Sequence, residues 1–162
     1  MQRFLFIALI SLPLFTSAEE IAIHSRIAFE DNDHIADNVR NECTELGRVL
    51  AKSIVKYGKK YDFKINRVKQ DLSEYPVYID VKILTAISGR QFNGGHAKSA
   101  TVKASLYMYG QKVDDKVATR NSGGGFFGQF KTSCSVLEHT VNTLGADVAK
   151  WMFREHKYVN EL

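Results

Sequence analysis

Asn121–Trp151 reads NSGGGFFGQFKTSCSVLEHTVNTLGADVAKW, and the rest of the chain is organised around it. It opens with a glycine-rich stretch (Gly123, Gly124, Gly125, Gly128) that carries Phe126, Phe127 and Phe130. Beyond it Cys134, Leu137, Val141, Leu144, Val148 and Trp151 recur at alternating steps of three and four, the apolar stripe of an amphipathic helix. Thr132 or Ser133 can cap the first amides, or Ser135 with Glu138 can form a capping box slightly later. A helix that buries a tryptophan needs a sheet or a second helix to lie on. The preceding residues supply both.

Upstream, Ile21–Glu30 alternates, with Ile21, Ile23, Ile27 and Phe29 on one side, which predicts a half-buried strand. Asp31, Asn32 and Asp33 form a helix-start cluster. The helix is predicted to run to about Tyr57 on the stripe Ile35, Val39, Cys43, Leu46, Leu50, Ile54, Tyr57, with Gly58 as its cap. Ile35 and Ala36 fall where a calcium loop would need oxygens, so the acidic cluster is read as capping. A second strand is predicted over Tyr61–Lys69 and a turn over Gln70–Pro76. Val77–Ser88 follows as a strand whose Val77, Ile79, Val81, Ile83, Thr85 and Ile87 alternate without a slip. After the Gly89–His96 loop comes Ala97–Tyr109, a two-residue hairpin at Gly110-Gln111, and Lys112–Arg120 as a polar edge strand.

This order, β-α-β-β-β-β-α, predicts an α+β two-layer sandwich: a mixed, mostly antiparallel five-stranded sheet with two helices on one face. The expected domain covers residues 19–153. A signal peptide precedes it, with Arg3 as the charged region, Phe4–Phe15 as the apolar run and Thr16-Ser17-Ala18 as the cleavage site. Residues 154–162 are expected as a frayed tail. The apolar run is short for a membrane span, and no other segment is apolar enough to be one. With no Asn-x-Ser/Thr sequon, the expectation is a bacterial periplasmic or secreted protein. The whole chain carries 22 basic and 18 acidic side chains, a mild excess that argues neither for nor against nucleic acid.

Cys43 and Cys134 are the two cysteines. In an oxidising compartment an isolated pair tends to bridge, the alternative being two buried thiols. If every connection after the second strand is a hairpin, the strands sort the loops between two poles. One pole then collects Lys56, Lys59, Lys60, Arg90, Phe92, His96, Lys98, Arg120 and the Gly123–Lys131 loop. The other collects Asp31, Asp33, Asp71, Glu74, Asp114 and Asp115. On that arrangement Cys43 lies well away from Cys134, which counts against the bridge.

The basic pole, with its glycine loops and phenylalanines near a helix N-terminus, is the candidate site for an envelope protein or an anionic ligand. Its residues are Arg90, Phe92, His96, Lys98, Arg120, Phe126, Phe127 and Lys131. No catalytic residue, cofactor or metal ligand is assigned. Gly123-x-Gly125-x-x-Gly128 matches a dinucleotide fingerprint only as a string, outside the βαβ unit its mechanism requires, and Gln129 stands where a phosphate loop needs lysine. The five histidines are scattered, and Asp114 and Asp115 are adjacent on a strand, so they point to opposite faces. No RNA- or DNA-binding signature is present. A hydrolase using His96 would need an acid or nucleophile beside it.

Five segments carry a family resemblance: Asn41-Glu42-Cys43-x-x-Leu46, Gly94-Gly95-His96-x-Lys98-Ser99, Arg120-x-Ser122-Gly123-Gly124, Lys131-x-Ser133-Cys134-Ser135-Val136-Leu137 and Leu144–Trp151. On these the chain resembles an uncharacterised family of small exported proteobacterial proteins. At the level of architecture it is similar to small envelope domains such as the N-terminal domain of the Tol-system propeller protein. The resemblance implies export and a compact α/β domain, and no activity. The leading expectation is therefore an exported binding or accessory protein, with an inhibitor or immunity protein as the alternative.

Overall fold

The computed structural model describes residues 20–31, 34–90, 96–122 and 132–161, with Gly89, Arg90, His96, Ala97, Asn160 and Glu161 described in their backbone only. The elements are β1 (Ile21–His24), β2 (Ala28–Phe29), α1 (Asp37–Glu42), α2 (Leu46–Gly58), β3 (Ile65–Val68), β4 (Val77–Arg90), β5 (His96–Met108), β6 (Gln111–Ser122) and α3 (Ser133–His156). One mixed sheet runs in the order β3-β1-β4-β5-β6, with β2 also pairing with β4. Two main helices, α2 and α3, pack together over one face, so the fold is the α+β sandwich that the patterning predicts.

One connection differs, and it changes the geography. The sequence predicts β4 returning against β3 as a hairpin. Instead β1 lies between them and runs parallel to both, pairing Ile21 with Ile65 and Ala22 with Tyr78. The link from β3 therefore recrosses the sheet through a 3-10 turn, Leu72–Glu74, capped by Asp71, whose carboxylate accepts the Ser73 amide at 2.9 Å. Ala22 and Leu72 are both buried yet stand outside the main core. They point away from Ile21 and Ile23, so the recrossing link covers β1 on the face the helices leave open.

With β4 parallel to β1, strand β6 also runs with β1, and the two main helices must point the same way. Their contacts advance in step. Cys43 meets Cys134, Ser53 donates to the Asn142 carbonyl at 2.5 Å, and Tyr61 stacks on Phe153 at 4.6 Å. Gly145 makes the close crossing achievable, since a Cβ there would strike the Ser53 side chain. The predicted clash between strand direction and disulfide thus disappears: Cys43 and Cys134 are bridged, with Cα atoms 5.2 Å apart.

Smaller departures have local causes. The predicted first strand is split, because the chain bends at Ser25 and Arg26 before β2 resumes pairing further along β4. The predicted first helix is broken at Cys43, whose φ of −98° and ψ of 49° are not helical. Strand β3 starts later than predicted, since Lys59–Tyr61 is a 3-10 turn followed by Asp62 in the left-handed region. A bulge between Ile83 and Thr85 shifts the alternation in β4, so Ala86 turns inward and Ile87 is 52% exposed. The hairpin turn is Tyr109-Gly110, both at positive φ, one residue earlier than predicted. Within the segment expected as a tail, α3 continues to His156, a 3-10 turn spans Lys157–Glu161, and Val159 is fully buried.

The disulfide closes a sequence separation of 91 residues. Replacing both cysteines by serine is expected to cost about 2–4 kcal/mol of stability. Denaturant unfolding of the oxidised wild type and the double variant checks this, and equal midpoints would contradict it.

Candidate functional site

The residues singled out by sequence do cluster topologically. Arg90 pairs with His96, and Lys98 pairs with Ser122, so β4 ends, β5 begins and β6 ends at one end of the sheet. Segments 91–95 and 123–131 are both attached there. Helix α3 starts at the same end, where Thr132 Oγ1 accepts the Ser135 amide at 3.3 Å. Phe92, Phe126, Phe127 and Lys131 lie outside the described residues, as do the side chains of Arg90 and His96.

Lys98 and Arg120 are described in full, and both charges are engaged within the chain. Lys98 falls on the inward parity of β5 with Ala100, Val102, Ala104 and Leu106 and is 3% exposed. Its Nζ donates to Ser88 Oγ at 2.5 Å, and the bulge in β4 is what turns Ser88 to the same face. Burial pushes its ammonium below the usual lysine value. Arg120 forks onto Asp147 of α3, Nε and Nη2 each 2.7 Å from a carboxylate oxygen, which joins the edge strand to the helix layer.

The predicted separation of charge between two poles does not survive the topology. Because β4 runs with β1, the glycine-loop end is the end that also carries Asp31. Lys59 and Lys60 lie at the opposite end with Asp114. The stacking of Tyr61 on Phe153 and the contact of Asp114 with His156 fix that placement.

Around Asp114 the chain builds a cluster that sequence reasoning missed. Asp114 Oδ2 lies 2.9 Å from His156 Nε2 and accepts Trp151 Nε1–H at 3.3 Å, while His156 Nδ1 lies 3.2 Å from the Tyr158 hydroxyl. The Asp115 amide and the His156 ring hold the Asp114 carboxyl below the usual carboxylate range. The cluster ties α3 and the 3-10 turn after it to the edge strand. A signal existed in the alternation of β6, which puts Asp114 on the parity facing the helices. Missed too is a cleft of about 370 Å³ lined by Ser25, Arg26, Arg48, Arg67 and Lys69. No group of three or more metal-ligating side chains occurs among the described residues. Among them, no helix is long and apolar enough to cross a membrane.

A scan against family models gives no match, and a search of curated proteins returns none similar in sequence. Solved structures do share the fold. A Xanthomonas campestris protein of the DUF330 family matches with TM-score 0.59 at 12% identity, over 85% of each chain. The PelC dodecamer from Paraburkholderia phytofirmans matches with TM-score 0.53 at 9% identity, over 82% of this chain and 88% of that one. At such identities the likeness is one of fold. It supports a kinship of architecture with small bacterial proteins and lends no support to the Tol-system comparison.

Lys98 yields a test with a definite sign. Its folded value lies below its unfolded one, so between the two the unfolded chain binds more protons and stability rises with pH. In Lys98→Met the rise towards the ordinary lysine value, near 10.4, is expected to be lost. Urea midpoints across the alkaline range decide it; parallel profiles would mean the amine is hydrated.

Proposed function

We propose that this chain is an exported accessory protein of the bacterial envelope that acts by binding, with its contact surface at the glycine-loop end. On this reading residues 1–18 are a signal peptide cleaved near Ala18, and a single domain follows. The observation that carries it is the convergence of three chain segments at one end. Segments 91–95 and 123–131 leave neighbouring strands there, and the disulfide anchors the start of α3 beside them. Loops carrying glycine and phenylalanine on a rigid support are the usual construction of a recognition surface. The Cys43–Cys134 bridge supports an oxidising compartment.

The charge engagement of Lys98 and Arg120 refines the proposal. Recognition then rests on Arg90, Phe92, His96, Phe126, Phe127 and Lys131, and on apolar contact more than on a field of positive charge. Lys98 and Arg120 instead tie the ends of β4, β5 and β6 into the fold.

The test is crosslinked capture by tagged wild type and by Phe126→Ala with Phe127→Ala, from the native envelope. Loss of a captured protein with stability unchanged to within about 0.5 kcal/mol is the expected result. Equal capture by both would contradict the assignment. A loss of stability of about 3 kcal/mol or more would instead make the rings part of the core.

A further inference from the structure

A second surface, at the edge of the sheet where β1 and β3 end, carries its own chemistry. Where β1 ends, the chain bends at Ser25 and Arg26, and the Ser25 amide donates to the Val68 carbonyl at 2.7 Å. That bond sets Arg26 beside the end of β3. Along β3, Ile65 is buried under the helix layer, the strand period puts Arg67 on the same side, and Lys69 follows just past the strand's end, lining the same cleft. Helix α2 begins next to them, its Gly47 pressed against the Ile27 carbonyl where no Cβ would fit. This contact presents Arg48 from the first turn of the helix. Three separate elements therefore bring three guanidinium groups and one ammonium to the wall of one cleft of about 370 Å³.

The charge in this cleft is only partly compensated. Glu45 pairs with both Arg48 (Nε–Oε2, 3.2 Å) and Arg26 (Nη2–Oε1, 3.5 Å), so one carboxylate is shared between two guanidinium groups of the cleft. Arg67 and Lys69 pair with no carboxylate among the described residues. The cleft lining itself contains no acid. Four exposed cations against one carboxylate give the cleft a positive potential that an anion would meet favourably. The start of α2 adds the positive end of a helix dipole.

We propose that the cleft of Ser25, Arg26, Arg48, Arg67 and Lys69 binds a compact phosphate-bearing anion. Guanidinium forks match the paired oxygens of a phosphate, the ammonium adds a point charge, and the Ser25 hydroxyl offers one further donor. The volume falls in the range of small-ligand sites, about 300–1,000 Å³, so it admits a diphosphate or a phosphorylated headgroup with room to spare. Glu45 is a positioning residue: it aligns Arg26 and Arg48 without facing the anion. The site stands apart from the contact surface proposed above, and either can fail without the other.

The probes are inorganic pyrophosphate, followed by calorimetry, and vesicles of phosphatidylcholine with or without phosphatidylglycerol, followed by co-sedimentation. All are used with the full exported chain at low salt. The expected result is saturable binding to pyrophosphate or to the phosphatidylglycerol vesicles, weakened by added salt. Pyrophosphate alone would identify a soluble phosphate compound; vesicle binding would identify a lipid headgroup. Arg67→Gln with Lys69→Gln is expected to weaken binding about tenfold or more. Lys56→Gln with Lys60→Gln removes two cations that sit over Tyr57 instead and is expected to leave affinity within about twofold. Should the first double variant melt early, Lys69→Gln alone carries the same comparison. Absence of saturable binding to both probes, or equal losses in the two double variants, overturns the proposal.

Discussion

The pairing of β1 between β3 and β4 is the constraint on which the rest of this molecule depends. A four-residue strand that runs parallel to both neighbours forces the chain to recross the sheet after β3. It thereby sets the direction of β4, and through two antiparallel pairings the directions of β5 and β6. Helix α3 inherits its direction from β6, and α2 from β1 and β2. The two helices are consequently parallel neighbours, and Cys43 and Cys134 come to the same level. A disulfide that would be strained or impossible with β4 reversed becomes a direct bridge between the segments that open the two helices. It adds constraint where the buried alternation of the sheet ends.

The arrangement also separates three polar features along the molecule. At one end the glycine segments leave the sheet above the buried Lys98–Ser88 contact. At the other, Asp114, Trp151, His156 and Tyr158 close the end of α3 against β6. On the flank where β1 and β3 end, the cationic cleft has Glu45 as its one ion-pair partner among the described residues. The Lys98–Ser88 pair and the Asp114 cluster find their partners inside the fold, so these contacts serve stability. The third keeps its charge exposed and incompletely matched, the arrangement expected of an anion site.

Much of the fold was legible in the sequence, because burial imposes period two on strands and mixed three-four spacing on helices. The stripe from Cys134 to Trp151, the alternation from Val77 to Ile83 and the polar edge from Lys112 to Arg120 all translate into elements. Direction was not legible. Gln70–Pro76 has the composition of a turn, and nothing local distinguishes a turn that reverses a strand from one that carries it back across a neighbour. Leu72 was the one clue, an apolar residue in a polar link that must be buried somewhere. The bulge at Leu84 was hidden because Thr85 and Ile87 preserve the apparent alternation. Of the candidate site, co-location of the two glycine segments was legible from strand order alone. The state of the charges was not, since Arg120 meets Asp147 through tertiary packing, and Arg26, Arg48, Arg67 and Lys69 converge from three elements that share no sequence pattern.

The placement of β1 is tested most directly by nuclear Overhauser contacts between backbone protons of the sheet in solution. Contacts from Ala22 to Tyr78 and from Ile21 to Ile65, in parallel registers, are the predicted result. A ladder of antiparallel contacts joining Ile65–Val68 directly to Val77–Asp80 would contradict it. That outcome would return β4 to a hairpin, reverse α3 relative to α2, and remove the common end on which the account rests.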